Sequence, residues 1–534
     1  MEEVHYIQVL VPLRLEWIPV YRSPRRLEAG HRVTVLFAHR RYAGVVYRTG
    51  VQPDVDASRI QDILEVADNL PPISREELAF WDFLSSYYLC TPGEVFKAAY
   101  PAGKMLSEQK AANILERLRQ RLAVRQEALE RKHRDNVRER LEGELQSIQR
   151  QIDSLTLIPD RSPVKPSPGK PMLLSGGNRT PEYLKQCRST LDSGLNVLVL
   201  IPEVAAGEQL QAVFEEAFPG QVHCVNSRIT DVRRRRIADD VRNFGGQVVI
   251  GTRSSIFLPF SRLGLIIVEN EHDPLFKQTE PSPRYNARDA AVVLGRLHRA
   301  RVILGSPFPS LESLYNAGAG KYILRSTGAA APEMVLVDIG AERRKHGMVG
   351  RISRKLLEAA SLTEGPVALI RGWEKPDELI EDVTIAFGER KVDIFTLQQA
   401  SLTDLRQYGI VAVLQADALF PEGDFRADER AIQALSMLAE QCAGVFLVQT
   451  AKPGHPVFGA PATLAEKLLE ERKRFGLPPY TRLIDTDFGG HKERLSFPAD
   501  ASLTARKNEL KQRALAFEKK TGGRIRVIID VDPV

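Results

Sequence analysis

The chain has 534 residues, which at roughly 150 residues per domain makes about three or four folding units and excludes a single-domain protein. Hydrophobic residues supply 43% and charged residues 27%, so each unit can bury a core and wholesale disorder is excluded. Lysine and arginine number 74 against 68 aspartates and glutamates, an excess that permits a polyanionic partner without demanding one. The longest apolar runs, such as Leu263 to Val268, fall well short of the roughly 18 to 20 residues of a membrane-spanning helix. The acidic start Met-Glu-Glu-Val-His lacks the basic stretch and apolar core of a secretory signal, and a cytoplasmic location is expected. Cys90, Cys187, Cys224 and Cys442 stand too far apart for a metal clip or a disulfide scaffold and read as buried thiols.

Taken in chain order, the first expected unit covers residues 1–104. Tyr6 to Pro12, Arg32 to Phe37 and Gly44 to Tyr47 read as short strands between turn residues. Ser74, three residues before Glu77, opens a helix with a capping box and an apolar stripe through Leu78, Phe80, Trp81, Phe83 and Leu84, and a second helix starts near Pro92. From 105 to 158, Ile114, Leu118, Leu122, Leu129, Leu141, Leu145, Ile148 and Ile152 recur amid dense Arg and Glu, the pattern of one long amphipathic helix or a helical hairpin. Its charges read mainly as a solvated face, with self-association or a nucleic-acid surface as the sharper alternative. A Pro-rich linker over 159–170 marks a boundary.

Beyond it, short apolar runs alternate with helical stretches, the mark of βαβ units and a parallel sheet. Strands are expected at Met172 to Leu174, Val197 to Ile201, His223 to Val225, Gln247 to Ile250, Leu265 to Val268 and Val302 to Leu304, giving an α/β lobe over 171–328. A second lobe over 329–455 carries Val335 to Asp338, Val367 to Ile370, Val392 to Phe395, Ile410 to Leu414 and Gly444 to Val448. Residues 456–534 form a C-terminal domain. On the helix that contains Arg233-Arg-Arg-Arg, consecutive side chains point all around, so two at most are expected to face one ligand.

Gly251-Thr-Arg-Ser-Ser-Ile-Phe-Leu-Pro-Phe, Leu265-Ile-Ile-Val-Glu-Asn-Glu-His-Asp, Phe276-Lys-Gln and Arg284-Tyr-Asn-Ala-Arg-Asp occur in an order and spacing that resembles the first helicase lobe of the replication-restart helicase family PriA, or primosomal protein N′. Gly305-Ser-Pro-Phe-Pro-Ser, Asp424-Phe-Arg-Ala-Asp-Glu-Arg, Leu477-Pro-Pro-Tyr and Ile529-Asp-Val-Asp-Pro extend the likeness. Val9-Leu-Val-Pro-Leu and Gly30-His-Arg-Val-Thr-Val-Leu-Phe are similar to the family's 3′-end DNA-binding domain. The resemblance implies two RecA-like helicase lobes, ATP and magnesium between them, and zinc modules in the second.

Each of those motor parts departs from the family pattern. A phosphate-binding loop needs glycines whose N–H groups wrap the phosphates, a lysine and a magnesium-holding hydroxyl; here Asn178 and Arg179 stand where Gly and Lys belong, before Thr180. In the acidic box, Glu269 and Asn270 occupy the metal-binding and water-activating places, followed by Glu271 and His272, and an amide is no general base. Gln441 and Gly444 fall where the resemblance implies two arginine fingers. The cysteines of the zinc modules are missing after Ala368-Leu-Ile-Arg-Gly-Trp. No catalytic residue, nucleotide or metal is therefore expected.

DNA binding does not need ATP. Trp17 and Tyr21 offer stacking surfaces near the family's terminal-base pocket, and Arg22, Arg32, Arg40 and Arg41 are candidates for phosphate contacts. Lys277, Arg284, Tyr285 and Arg288 lie in the loop that, in the family, couples DNA to the nucleotide site. The expectation is a protein that binds forked or single-stranded DNA and docks with other replication-restart proteins. Two rivals stand beside it: an active 3′–5′ helicase with a site rearranged around Arg179, Thr180, Glu269 and Glu271, and an interaction scaffold that pairs through residues 107–155.

Overall fold

The computed structural model describes residues 4–53, 55–68, 70–100, 111–131, 135–156, 169–328, 333–345 and 347–534. Most of the expected Pro-rich linker and the start of the charged helix lie outside them. The N-terminal unit is an antiparallel sheet of β1 (His5–Leu10), β2 (Val20–Ser23), β3 (Arg32–Phe37), β4 (Arg40–Thr49) and β5 (Glu65–Val66), in the order β2-β1-β4-β3-β5. Gly30 has φ +95°, and a Cβ there would lie 2.1 Å from the Ile73 carbonyl oxygen, so only glycine lets the chain pass under α1 (Arg75–Tyr87). The Ser74–Glu77 capping box starts α1, and Thr91 with Glu94 makes a second one at α2 (Pro92–Ala99).

The charged segment is a hairpin of α3 (Ala111–Glu130) and α4 (Asp135–Thr156). Leu118, Leu122, Ile148 and Ile152 pack together, so the apolar stripe is spent largely between the two helices.

The first lobe holds seven strands: β6 (Met172–Ser175), β7 (Asn196–Leu200), β8 (Val222–Val225), β9 (Val248–Gly251), β10 (Leu263–Glu269), β11 (Arg301–Ser306) and β12 (Ile323–Ser326). They lie parallel in the order β12-β6-β11-β10-β7-β9-β8. All five residues of β7 are buried, as expected for a strand covered on both faces. The covering helices are α5 (Thr180–Asp192), α6 (Val204–Ala217), α7 (Asp231–Asn243), α8 (Ala287–His298) and α9 (Leu311–Gly318).

The second lobe is a parallel sheet of β13 (Met334–Asp338), β16 (Val367–Ile370), β17 (Val392–Phe395), β18 (Ile410–Val413) and β19 (Val445–Thr450), in the order β13-β19-β18-β16-β17. A small hairpin, β14 (Met348–Val349) and β15 (Ile352–Ser353), sits beside it. Its helices are α10 (Ile339–Lys345), α11 (Arg354–Leu362), α12 (Pro376–Phe387), α13 (Leu397–Ser401), α14 (Ala427–Gln441) and α15 (Pro461–Arg474). Leu464, Ala465 and Leu468 of α15 belong to this lobe's core, which carries the lobe past the boundary expected near residue 455. The remainder is an antiparallel sheet of β20 (Thr481–Phe488), β21 (His491–Pro498) and β22 (Ile528–Val531), with α16 (Leu503–Lys520).

The C-terminal sheet does not stand apart. Ile484 and Val531 share one continuous core with Trp81 and Tyr88 of the N-terminal helices and with Ala287, Ala290 and Leu294 of α8. The first and last units therefore clasp the first lobe between them.

Candidate functional site

In open parallel α/β sheets, ligands bind in the crevice outside the carboxyl ends of the strands. Here that crevice lies where β6, β10 and β11 end and α14 of the second lobe approaches. Strand β6 runs into Gly176-Gly-Asn-Arg and then α5. Gly176 and Asn178 both have positive φ, and the turn swings Arg179 inward until only 4% of it is exposed.

The Arg179 guanidinium joins both lobes. Its NH2 and Nε donate to Glu269 at 2.5 and 3.2 Å, NH1 donates to Glu440 at 3.0 Å and to the Gly176 carbonyl at 2.6 Å, and NH2 reaches Asn270 Oδ1 at 3.3 Å. Glu440, on α14, also accepts the Asn178 backbone N–H at 3.1 Å. A helix N-terminus is a natural seat for an anion, and at α5 the seat is taken by a carboxylate of the same chain. A Cβ on Gly177 would lie 3.7 Å from the Glu440 side chain, so the loop and the glutamate are in close contact.

Electrostatics follow from this packing. Burial alone would push the Arg179 guanidinium down, but Glu269, with Tyr183 and Glu440, outweighs it and holds the group well above its ordinary value. Burial pushes the Glu440 carboxyl up, against the pull of Arg179. The Tyr183 hydroxyl donates to Glu269 at 2.5 Å, and burial, followed by that charge, raises its pKa far beyond the usual phenol. Gly305 makes this reach feasible: a Cβ there would sit 1.6 Å from the Tyr183 oxygen and 3.0 Å from Glu269.

Glu271 and His272 of the acidic box are bonded elsewhere. Glu271 is 1% exposed and accepts from Ser310 N at 2.6 Å, Ser310 Oγ at 3.0 Å, Ser313 Oγ at 2.9 Å and Arg288 at 3.3 Å. Its acceptor capacity is spent on the start of α9 and on Arg288 of α8. His272 bonds Ser306 Oγ at 2.7 Å, and burial, then Arg179 and Arg288, lower its pKa to about 3, so the imidazole is neutral. Asn270 adopts a left-handed conformation, φ +53°. In the second lobe, a Cβ on Gly444 would meet the Gly409 carbonyl oxygen at 2.1 Å, so no side chain fits there. Gln441 is half-buried at the end of α14, and Thr180 opens α5.

The Asn178 amide and the Arg179 guanidinium are thus both held by carboxylates of the same chain, Glu269 and Glu440. Among the described residues, no group of three or more His, Cys, Asp or Glu is placed to hold a metal ion.

The lobes are joined a second time below the crevice. Arg426 pairs with Glu312 at 3.0 Å, Glu429 accepts the Leu311 N–H at 2.8 Å, and Arg472 pairs with both Glu429 and Glu312. Arg426 and Arg472 both lie over the Phe425 ring.

The ten residues expected at DNA are dispersed. Trp17 is 60% exposed, with its ring 6.1 Å from Phe37, and Arg40 and Arg41 are exposed at the β3–β4 turn beside it. Tyr21 is buried, its hydroxyl donating to the Leu36 carbonyl at 3.0 Å and its pKa pushed up to about 12 by burial. Arg22 pairs with Asp62. Arg32 is 1% exposed, its guanidinium 5.8 Å from the centre of the Tyr100 ring. The coupling loop is a joint between domains. Lys277 pairs with Asp530 at 2.6 Å and donates to Arg284 O and Val531 O at 2.6 and 2.7 Å. Tyr285 is fully buried, Arg288 is bound to Glu271, Asp289 and Ser310, and Arg284 pairs with Glu280. Tyr21, Arg32, Lys277, Tyr285 and Arg288 are thus inside the protein, not on a DNA-facing surface, because each finds a partner remote in sequence.

The class is defined by two parallel α/β lobes behind an antiparallel N-terminal domain. The family model for the PriA 3′ DNA-binding domain matches residues 8–101. Replication restart protein PriA of Chlamydia pneumoniae is 38% identical over 177 residues, 32% of this chain and 24% of that protein. The Rickettsia conorii protein of the same name is 29% identical over 363 residues, 66% of this chain and 51% of that protein. The chain is PriA-like, and it spans about a quarter to a half of the relatives it matches. Among solved structures, RecG bound to a three-way DNA junction is similar over 82% of this chain and 56% of that chain, at 12% identity and a TM-score of 0.38. The Mycobacterium smegmatis helicase Lhr, bound to ssDNA and AMP-PNP, covers 70% of this chain and 53% of its own, at 14% and 0.33.

Proposed function

We propose that this chain is a replication-restart protein that binds forked or single-stranded DNA in the cytoplasm and does so without ATP-driven unwinding, as a docking component. The observation that carries the second half is the Arg179–Glu269–Glu440 cluster in the inter-lobe crevice. The restart role rests on the relatives' name, and DNA binding rests on the matched N-terminal domain. Within that domain, Trp17 supplies a stacking face and Arg40 and Arg41 supply phosphate contacts. No nucleotide or metal takes part.

The rival helicase reading needs Glu271 to serve catalysis, and its carboxylate is spent on Ser310, Ser313 and Arg288. The scaffold reading needs an apolar face on the hairpin, which is largely used between α3 and α4.

The test is DNA-stimulated ATP hydrolysis by purified protein, alongside fluorescence titrations of fork DNA. No turnover above background and tight fork binding are expected. Trp17→Ala should weaken that binding by the worth of one stacked base, about 1–3 kcal/mol. ATP turnover that Arg179→Ala abolishes would overturn the inactive-motor reading, and fork affinity untouched by Trp17→Ala together with Arg40→Ala and Arg41→Ala would overturn the assignment of the surface.

A further inference from the structure

The helical hairpin lies against the first lobe beside β8 and α7, and the two enclose a groove of about 1340 Å³. Gly143 of α4 approaches Pro219, where a Cβ would make contact at 3.8 Å. Seven arginines line the groove against four carboxylates. Arg117, Arg121 and Arg125 recur every four residues, which puts them in one row along α3. Arg233, Arg235 and Arg236 face them from α7, so three of the four consecutive arginines reach one groove, where sequence periodicity allowed two. Arg234 points elsewhere, toward Asp231 and Tyr285.

The carboxylates do not neutralise this wall. Glu144 is shared by Arg125 and Arg140. Asp240 faces His223, Arg236 and Arg121 together. Among the described residues, Arg117, Arg121, Arg233, Arg235 and Arg236 have no ion-pair partner within 4 Å, and four of these five are exposed. Unpaired guanidinium groups on facing helices repel one another, and a line of phosphates would relieve that repulsion.

We infer that this groove holds the phosphate backbone of duplex DNA, as a second DNA-binding surface apart from the N-terminal domain. Its volume exceeds the roughly 300–1,000 Å³ of small-molecule pockets, which favours a polymer. Single-stranded sites combine basic residues with exposed aromatic platforms, whereas the one aromatic residue in this lining, Phe244, is 4% exposed. A duplex, whose bases are already stacked, needs only the cations. Contacts of this kind are indifferent to sequence and steeply salt-dependent. The inference rests on the DNA-binding reading above and extends it to the double-stranded arm of a branched substrate.

The probe is a closed dumbbell duplex, which has no 3′ end, titrated by fluorescence anisotropy at 50 and 200 mM salt. Arg121→Ala, Arg233→Ala and Arg236→Ala, combined, change exposed side chains, and an unaltered melting temperature checks the fold. Losing three phosphate contacts flattens the salt slope by about 2.7, so the wild type should lose about 40-fold more affinity than the variant across that salt range. An unchanged slope in the variant overturns the inference. So does a wild type that binds the fork but not the dumbbell, a result that leaves the N-terminal reading intact. A variant that loses affinity for poly-glutamate while keeping the dumbbell would assign the groove to an acidic protein instead and likewise overturn it.

Discussion

Replacing Arg179 by methionine keeps most of its volume and removes the cation, leaving Glu269 and Glu440 facing each other with side-chain exposures of 17% and 23%. Breaking a buried pair by deleting one partner costs about 3–5 kcal/mol. Because both carboxylates retain some water, the lower end applies, about 3 kcal/mol, or about 6–12 °C in melting temperature for units of this size. Glu440→Gln is milder, since the amide oxygen still accepts from Asn178, and about 1–2 kcal/mol is expected. The double variant leaves one charge unpaired where Arg179→Met leaves two, so its cost should fall short of the sum by about 1–2 kcal/mol. Urea titrations of the four proteins give the coupling directly. Additivity within about 0.5 kcal/mol would mean that Arg179 and Glu440 do not act together and that the crevice is not held by this cluster.

His272 is buried neutral, with a pKa lowered from 6.5 to about 3. The unfolded chain takes up its proton first as pH falls, so stability is lost on acidification; between pH 7.5 and 5 the loss from this group is about 2 kcal/mol. His272→Gln should flatten that part of the urea-midpoint profile, and an unaltered profile would refute the assignment. Lys277→Met leaves Asp530 without its cation and should destabilise the packing of the C-terminal sheet on the first lobe by about 3 kcal/mol. Proteolysis after β21 should accelerate accordingly, and a variant as resistant as the wild type would refute the joint.

Parallel strands such as β9, β16 and β18 were legible because they are short, continuous apolar runs, buried along their whole length. β12 carries no such signal: Ile323 to Ser326 are all exposed, and the strand exists through its backbone pairing with β6. β21, which opens His491-Lys-Glu-Arg and has no buried residue, was hidden for the same reason. At the crevice, the sequence exposed Arg179 as the wrong cation for a phosphate loop, but Glu440 lies 261 positions away and nothing local marks it as the partner. Lys277 and Arg288 misled in the opposite direction. Long cations are usually on the surface, and these two are buried because Asp530 and Glu271 come to them through the fold.

The joint at Lys277 also bears on how the chain is made. Its contact with Val531 spans 254 positions, and the Tyr87–Asp532 hydrogen bond spans 445. Synthesis proceeds from the N-terminus, and domains generally fold as they emerge. An ammonium group bound for the interior therefore waits, still hydrated, until β22 has left the ribosome. Until then the apolar faces of α1 and α8 that meet Ile484 and Val531 stay open to water.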